Sequence, residues 1–96
     1  MNDAAELKKF QNEDGKIKAY PAKLSRQLIV LKYLAARFES GKTYTEKEIN
    51  QILNDHHTFG DPALLRRRLI ETALFQRTPD CSQYWKLNHT DTQSLR

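Results

Sequence analysis

Hydrophobic residues recur at helical spacing over residues 23–38. One face of this segment collects most of the apolar side chains: Leu24, Leu28, Leu31, Leu34, Ala35 and Phe38. Spacings of three and four residues place such side chains on one side of an α-helix. Gly41 follows at a distance that suits a C-terminal cap. The pattern therefore predicts an amphipathic helix with this face buried.

The same segment carries a second apolar stripe, formed by Ile29, Tyr33 and Ala36, roughly opposite the first. A helix that is apolar on two sides is covered on two sides. One interpretation is that an N-terminal hairpin covers the stripe with three side chains: Phe10, Ile17 and Tyr20. The other interpretation is a dimer interface. We favour the first.

Two shorter helices follow a brief extended piece at residues 43–44. Thr45 and Glu48 have the spacing of a capping box, which predicts a helix that runs to about His56. Asp61 followed by Pro62 is a favoured pair at a helix start. The buried positions predicted in these helices are Ile49, Ile52, Leu53, Leu65, Leu69, Ile70 and Ala73.

Period-two patterns mark both ends of the chain. Residues 7–11 and 16–20 flank a turn signal at Asp14-Gly15, which predicts a short N-terminal β-hairpin. Residues 74–77 and 83–87 flank a loop that contains Pro79 and Asp80, which predicts a C-terminal β-hairpin.

Taken together, the elements predict an α+β, mainly helical fold. We expect a winged helix-turn-helix-like domain of three helices, with the C-terminal β-hairpin as the wing and the short N-terminal β-hairpin added. The single domain spans residues 7–87. Residues 1–6 are predicted to be a flexible N-terminus, and residues 88–96 a flexible C-terminal tail.

Composition narrows the choice of function. The chain has 96 residues, a net charge of +4 and one cysteine, so it forms no internal disulfide bond. A basic balance permits a polyanionic partner without requiring one. No apolar run approaches the roughly 20 residues that span a bilayer, and residues 1–10 lack the apolar stretch of a signal peptide. We therefore expect a cytoplasmic protein with no membrane partner.

Arginines 66–68 in the third helix are the most suggestive feature of the sequence. With Leu65 on the buried line, Arg67 points nearly opposite the core and Arg68 points to a flank. Exposed arginines on such a helix can contact phosphates or guanine edges. The predicted nucleic-acid-binding residues are Arg67, Arg68, Arg77 and Lys86. The alternative is a solvated face with local ion pairs, such as Arg67 with Glu71.

Arg66 falls nearer the buried side of the same helix and therefore requires a partner. Three acidic residues are candidates: Glu46, Glu48 and Asp61. We interpret this arginine as a clamp between helices rather than as a ligand-binding residue.

The sequence does not predict an enzyme. Glu46 and Glu48 are two positions apart on a helix, so their carboxylates diverge and cannot act on one bond. Adjacent His56 and His57 also diverge, and Cys81 has no histidine beside it in sequence. We expect no catalytic residues, metal, cofactor or small-molecule substrate.

A motif resembling a known family runs through these elements. The stretch YTEKEIN at residues 44–50 is followed by Leu53, Asp61, the triplet LRR at 65–67, Leu74, Arg77 and the pair YW at 84–85. This combination, over about residues 21–87, resembles the bacterial family of domain of unknown function 2087. The resemblance implies a role in gene regulation, because members are often fused to transcriptional regulators. It implies no catalytic residues. Residues 79–82 replace the glycine-containing turn that is usual in the family.

Two functions are carried forward. The leading hypothesis is a module that binds duplex DNA in transcriptional regulation. The alternative is a protein-interaction or dimerisation module without nucleic-acid binding, in which Ile29 and Tyr33 contact a second copy or a regulator protein.

Overall fold

The computed structural model describes residues 3–87, which form an α+β fold. Its elements in chain order are α1 (Asp3–Lys8), α2 (Leu24–Ala35), β1 (Thr43–Tyr44), α3 (Glu46–His56), α4 (Pro62–Glu71), β2 (Phe75–Arg77) and β3 (Tyr84–Lys86). The predicted C-terminal tail, residues 88–96, lies outside the described residues. No helix within residues 3–87 has the length and apolar character needed to cross a bilayer.

Helix α2 forms the centre of the core. Leu31 and Leu34 are fully buried, as the helical spacing predicts. Val30 is also fully buried, although it lies off the predicted face. The prediction was wrong for Leu24, whose side chain is 65% exposed. The reason is its place in the first turn of the helix, where it extends past the elements that cover the rest of this face.

The predicted caps of the next two helices are confirmed. Thr45 Oγ1 accepts a hydrogen bond from the Glu48 backbone N–H at 3.1 Å, and the Thr45 N–H donates to Glu48 Oε1 at 2.9 Å. Asp61 Oδ1 accepts from the Leu64 N–H at 3.1 Å, with Pro62 in the first turn. These caps fix the start of α3 and of α4.

A small antiparallel sheet closes the other side of the core, in the order β1-β3-β2. The predicted C-terminal hairpin is confirmed, with Arg77 opposite Tyr84. The ring of Phe75 on β2 packs edge-on against Phe38 at a centroid distance of 4.9 Å, and Phe38 packs against Tyr44 on β1 at 5.1 Å. These rings connect the sheet to the end of α2.

The predicted N-terminal hairpin is only partly present. The turn forms, with the Gly15 N–H donating to the Asn12 carbonyl at 3.0 Å and Gly15 at a φ of 82°. However, helix α1 replaces the start of the first strand, and the pairing is limited to one antiparallel bridge between Gln11 and Ile17. An isolated hairpin is barely stable alone, and here Ile17 also pairs elsewhere.

Ile17 is fully buried and pairs in parallel with His57, in the turn between α3 and α4. Its N–H donates to the His56 carbonyl at 2.8 Å, and its carbonyl accepts from the Thr58 N–H at 2.9 Å. The N-terminal segment is therefore attached to the turn that leads into α4.

The rest of the N-terminal segment packs on α2. A carboxylate oxygen of Glu6 on α1 lies 3.0 Å from Nε of Arg26 on α2. Partly buried Leu7, Phe10 and Tyr20 pack against the hydrophobic core. At the second stripe, the Gly15 carbonyl accepts a hydrogen bond from the Tyr33 hydroxyl. Two of the three side chains predicted to cover the stripe lie elsewhere, because Ile17 pairs with His57 and Tyr20 lies near Arg68 of α4.

Candidate nucleic-acid interface

An open groove of about 330 Å³ lies between α4 and the C-terminal hairpin. Its lining residues are Ala63, Arg66, Arg67, Ile70, Glu71, Arg77, Cys81 and Tyr84. Three of the eight carry a guanidinium group, and the alanine, isoleucine and tyrosine give the groove a partly apolar floor. The groove therefore combines positively charged side chains with apolar surface.

Arg67 is exposed and points away from the fully buried Leu65 on the same helix, as the helical period predicts. Its side chain makes no hydrogen bond or ion pair with any other residue in the described range 3–87. The alternative pair of Arg67 with Glu71 does not form, because Glu71 binds the next arginine along the helix. The positive charge of Arg67 is therefore available to a ligand.

Arg66 links α4 to α3, as its position near the buried side predicts. Its Nη2 lies 3.8 Å from a carboxylate oxygen of Glu46, and its Nη1 donates to the side-chain oxygen of Asn50. Its side chain is 19% exposed. Asn50 was not among the candidate partners, although it stands four residues after Glu46 and thus on the same face of α3.

Arg68 lies on the flank of α4 and does not line the groove. Its Nη1 donates to Glu71 Oε1 at 2.6 Å, and its Nε is buried without a hydrogen-bond partner. Tyr20 of the N-terminal segment lies near this arginine, and burial raises the pKa of its hydroxyl. The charge of Arg68 is thus largely offset by Glu71.

Arg77 and Lys86 lie on the two strands of the hairpin, and only Arg77 lines the groove. Its Nη1 donates to the carbonyls of Thr78 at 3.0 Å and Pro79 at 3.3 Å. These neutral acceptors orient the guanidinium group and leave its charge uncompensated. The Lys86 ammonium group instead donates to the Phe38 carbonyl at 3.3 Å, beyond the end of α2. The groove therefore brings Arg67 and Arg77 together, without Arg68 or Lys86.

The hairpin loop is organised around the carboxylate of Asp80. Oδ1 of this residue accepts hydrogen bonds from Thr78 Oγ1 at 2.7 Å, from Ser82 Oγ at 2.8 Å and from the Ser82 N–H at 3.1 Å. These donors, the Thr78 hydroxyl first, lower the pKa of Asp80 from 3.8 to about 2. Cys81 beside it has a φ of 63°. This network holds a hairpin loop that contains no glycine.

The Asp80 carboxyl is expected to titrate with a midpoint near pH 2, below its ordinary value of 3.8. Because the pKa is lowered in the folded loop, ionised Asp80 favours the loop above pH 3.8, and this contribution is lost as the pH falls toward 2. Thr78→Val removes the first donor and should raise the midpoint toward 3.8. Carbon-13 NMR of the carboxyl measures it, with Thr58→Val as the control. A wild-type midpoint at 3.8 would contradict the network.

The two residues of the alternative interface, Ile29 and Tyr33, are both partly buried. The Tyr33 hydroxyl donates to the Gly15 carbonyl at 3.1 Å, and the guanidinium carbon of Arg37 lies 4.9 Å from the centroid of its ring. The N-terminal loop therefore occupies one end of the stripe that a partner would use.

The side chains that commonly bind metals do not cluster in the part of the chain that the structure describes. No group of three or more His, Cys, Asp and Glu side chains converges within residues 3–87. His57 is buried, with Nδ1 at 2.6 Å from the Leu53 carbonyl and Nε2 accepting from the Asp61 N–H at 2.9 Å. Because both ring nitrogens are engaged, this histidine connects α3 to α4 as a structural residue.

A comparison with known families identifies the domain. The family model described as "Uncharacterized protein conserved in bacteria (DUF2087)" matches residues 16–86, which is most of the chain. The chain belongs to this family. The matched DUF2087 region contains α2, the sheet, α3, α4 and the whole groove, and it starts one residue before Ile17. No curated protein and no solved structure gives a match.

Proposed function

We propose that this DUF2087 domain is a winged-helix module that binds duplex DNA in bacterial transcriptional regulation. The support for the winged helix is the order of elements from α2 to β3, which is helix, strand, helix, helix and hairpin. In that architecture the third helix lies in the major groove and the hairpin forms the wing. Here α4 corresponds to the third helix, and β2 and β3 correspond to the wing.

One observation carries the proposal. Arg67 is exposed and unpaired within residues 3–87, and it shares a groove with Arg77 from the hairpin. DNA-binding proteins of this type contact the duplex with the same two elements. Arginine forms strong bidentate hydrogen bonds with phosphate and with guanine, so this placement favours a nucleic-acid ligand.

The acidic residues near the groove do not cancel this charge. Glu71 is paired with Arg68, and Glu46 lies beside Arg66. Asp80 keeps its negative charge, because all its hydrogen-bond donors are neutral, but it forms no ion pair with Arg67 or Arg77. Arg67 and Arg77 are therefore two cations without an ion-pair partner within residues 3–87. The net charge of +4 agrees with a polyanionic partner, and a cytoplasmic location would place the domain with DNA.

Removing Arg67 is expected to weaken duplex binding without changing the fold. Arg67→Ala should lower the affinity by about tenfold, uniformly across sequences, because charged hydrogen bonds to phosphate are lost. Wild-type affinity should fall steeply as salt rises from 50 to about 200 mM. The measurement is fluorescence anisotropy with a labelled duplex of mixed sequence.

Lys18→Ala is the matched control, because it removes the same charge from an exposed position outside the groove. It should leave the affinity within about twofold of wild type. Absence of duplex binding by the wild-type protein at low salt would remove the proposal. Equal losses of affinity in the two variants would show that Arg67 acts only through the net charge of the protein.

Self-association or binding of a regulator protein through Ile29 and Tyr33 has less support, because the N-terminal loop engages Tyr33. Sedimentation velocity at several concentrations separates the two functions. Concentration-dependent dimerisation that Ile29→Asp abolishes would favour the protein-interaction module.

A further inference from the structure

We infer that Arg67 and Arg77 form a phosphate-binding site in which both guanidinium groups hold the same phosphate. The inference rests on the proposed function where it names the DNA backbone as the source of that phosphate. The site itself depends only on the groove, which would bind a free phosphate group by the same hydrogen bonds.

The two arginines reach the groove from different elements. Arg67 projects from the middle of α4, and Arg77 projects from β2 on the face of the sheet that also carries Tyr84. Tyr84 is 3% exposed and lines the same groove, so this face of the sheet turns toward α4. Both residues therefore line one groove, Arg67 from α4 and Arg77 from β2.

The two arginines of the site differ in how firmly their side chains are held. Arg77 is held in place by the two loop carbonyls, which accept its hydrogen bonds without neutralising it. Arg67 has no partner within the described part of the chain and is free to turn toward a ligand. The Arg77 side chain is thus fixed and the Arg67 side chain is adjustable. This suits a ligand that enters the groove from solvent and is then enclosed.

Arg66 adds a third positive charge at the base of the groove. Its contacts with Glu46 and Asn50 hold it beside the groove and offset part of its charge. It therefore contributes to the field in the groove, while Arg67 and Arg77 supply the donors.

The floor of the groove strengthens these interactions. Ala63, Ile70 and Tyr84 give it an apolar surface, and burial raises the pKa of the Tyr84 hydroxyl. Charged groups attract more strongly where water is partly excluded. The groove is nevertheless open to solvent, so it fits a phosphate on a longer molecule as well as a free one.

Phosphate matches this arrangement better than a single carboxylate. Two guanidinium groups offer donors along two directions, and a tetrahedral phosphate has oxygens for both. Neutral ligands would leave the two cations uncompensated. Glu71, whose carboxylate could otherwise compete with a ligand for Arg67, is paired with Arg68 at 2.6 Å.

The first experiment uses inorganic phosphate with the full chain. Phosphate should shift the NMR signals of the Arg67 and Arg77 guanidinium groups along a saturating curve, whereas sodium chloride of equal ionic strength should not. Arg67→Ala and Arg77→Ala should each abolish the response of the other arginine, and Lys18→Ala should leave both intact. Equal responses to phosphate and chloride would overturn the site.

The second experiment is a double-mutant cycle with a short duplex. Arg67→Ala and Arg77→Ala should each weaken binding by about tenfold. If the two side chains hold one phosphate, the double variant should lose clearly less than the product of the single losses. Circular dichroism checks that each variant is folded.

The outcomes separate the two proposals. A fully multiplicative loss would mean that the arginines contact different phosphates, which would overturn this inference and leave DNA binding in place. A specific response to inorganic phosphate without duplex binding would retain the site, with a free phosphate compound as its ligand, and overturn the proposed function. No response to phosphate and no duplex binding would overturn both.

Discussion

Leu31→Ala is expected to lower the free energy of unfolding by about 3 kcal/mol. The side chain is fully buried in the centre of the core, so its removal loses transfer free energy and leaves a cavity. A domain of this size has a total stability of roughly 5–15 kcal/mol, so the expected loss is a substantial part of the total. Urea titration followed by circular dichroism measures the change.

Leu24→Ala is the matched control, because it makes the same chemical change on the same helix. Its side chain is 65% exposed, so the free energy of unfolding should change by no more than about 0.5 kcal/mol. The comparison also tests where α2 leaves the core. Similar losses in the two variants would show that Leu24 is buried, as the helical spacing predicts.

His57→Ala has the second large expected effect, a loss of about 3 kcal/mol in the free energy of unfolding. The imidazole connects the Leu53 carbonyl at the end of α3 to the Asp61 N–H at the start of α4. Its ring also packs edge-on against Phe59 at a centroid distance of 4.6 Å. Truncation leaves the buried Leu53 carbonyl and the partly buried Asp61 N–H without their partner and removes the packing.

Adjacent His56 provides the control for this variant. Its backbone carbonyl accepts from Ile17, but its side chain makes no hydrogen bond or ion pair with the residues that the structure describes. His56→Ala keeps the carbonyl and should cost less than about 1 kcal/mol. Thermal unfolding of both variants tests the role of His57. A His57→Ala protein as stable as the His56→Ala protein would exclude the bridge between α3 and α4.

Much of the helical part of the fold follows from local sequence. The capping box of Thr45 and Glu48 and the Asp61-Pro62 pair act within a single turn, so their residues specify the starts of α3 and α4 directly. The periodicity of α2 likewise identified Leu31 and Leu34 as buried residues. It could not identify Leu24 as exposed, because the burial of a helix end depends on how far the neighbouring elements extend.

The N-terminal segment was not predictable in the same way. The turn at Gly15 has a local cause, since its positive φ favours glycine. The strands beside it depend on what they pair with, and Ile17 finds its partner at His57, forty residues further along the chain. Alternation of residues 16–20 indicates an extended segment, but it carries no information about a partner so distant.

The sequence predicted the directions of single side chains in the candidate site better than it predicted which of them come together. The period of α4 placed Arg67 outward and Arg66 toward α3, and both placements are confirmed. The spacing rules allow Glu71 to pair at either three or four residues, and the structure pairs it with Arg68. That Lys86 turns toward the end of α2 follows from the packing of β3, which the sequence does not reveal.

The attachment of Ile17 couples the N-terminal segment to the start of α4. The polypeptide enters the matched region at residue 16 and is joined at once, through backbone hydrogen bonds, to the junction from which α4 starts. A displacement of the N-terminal segment would therefore act on the start of α4 through the Ile17 backbone, as well as on α2 through Glu6 and Gly15.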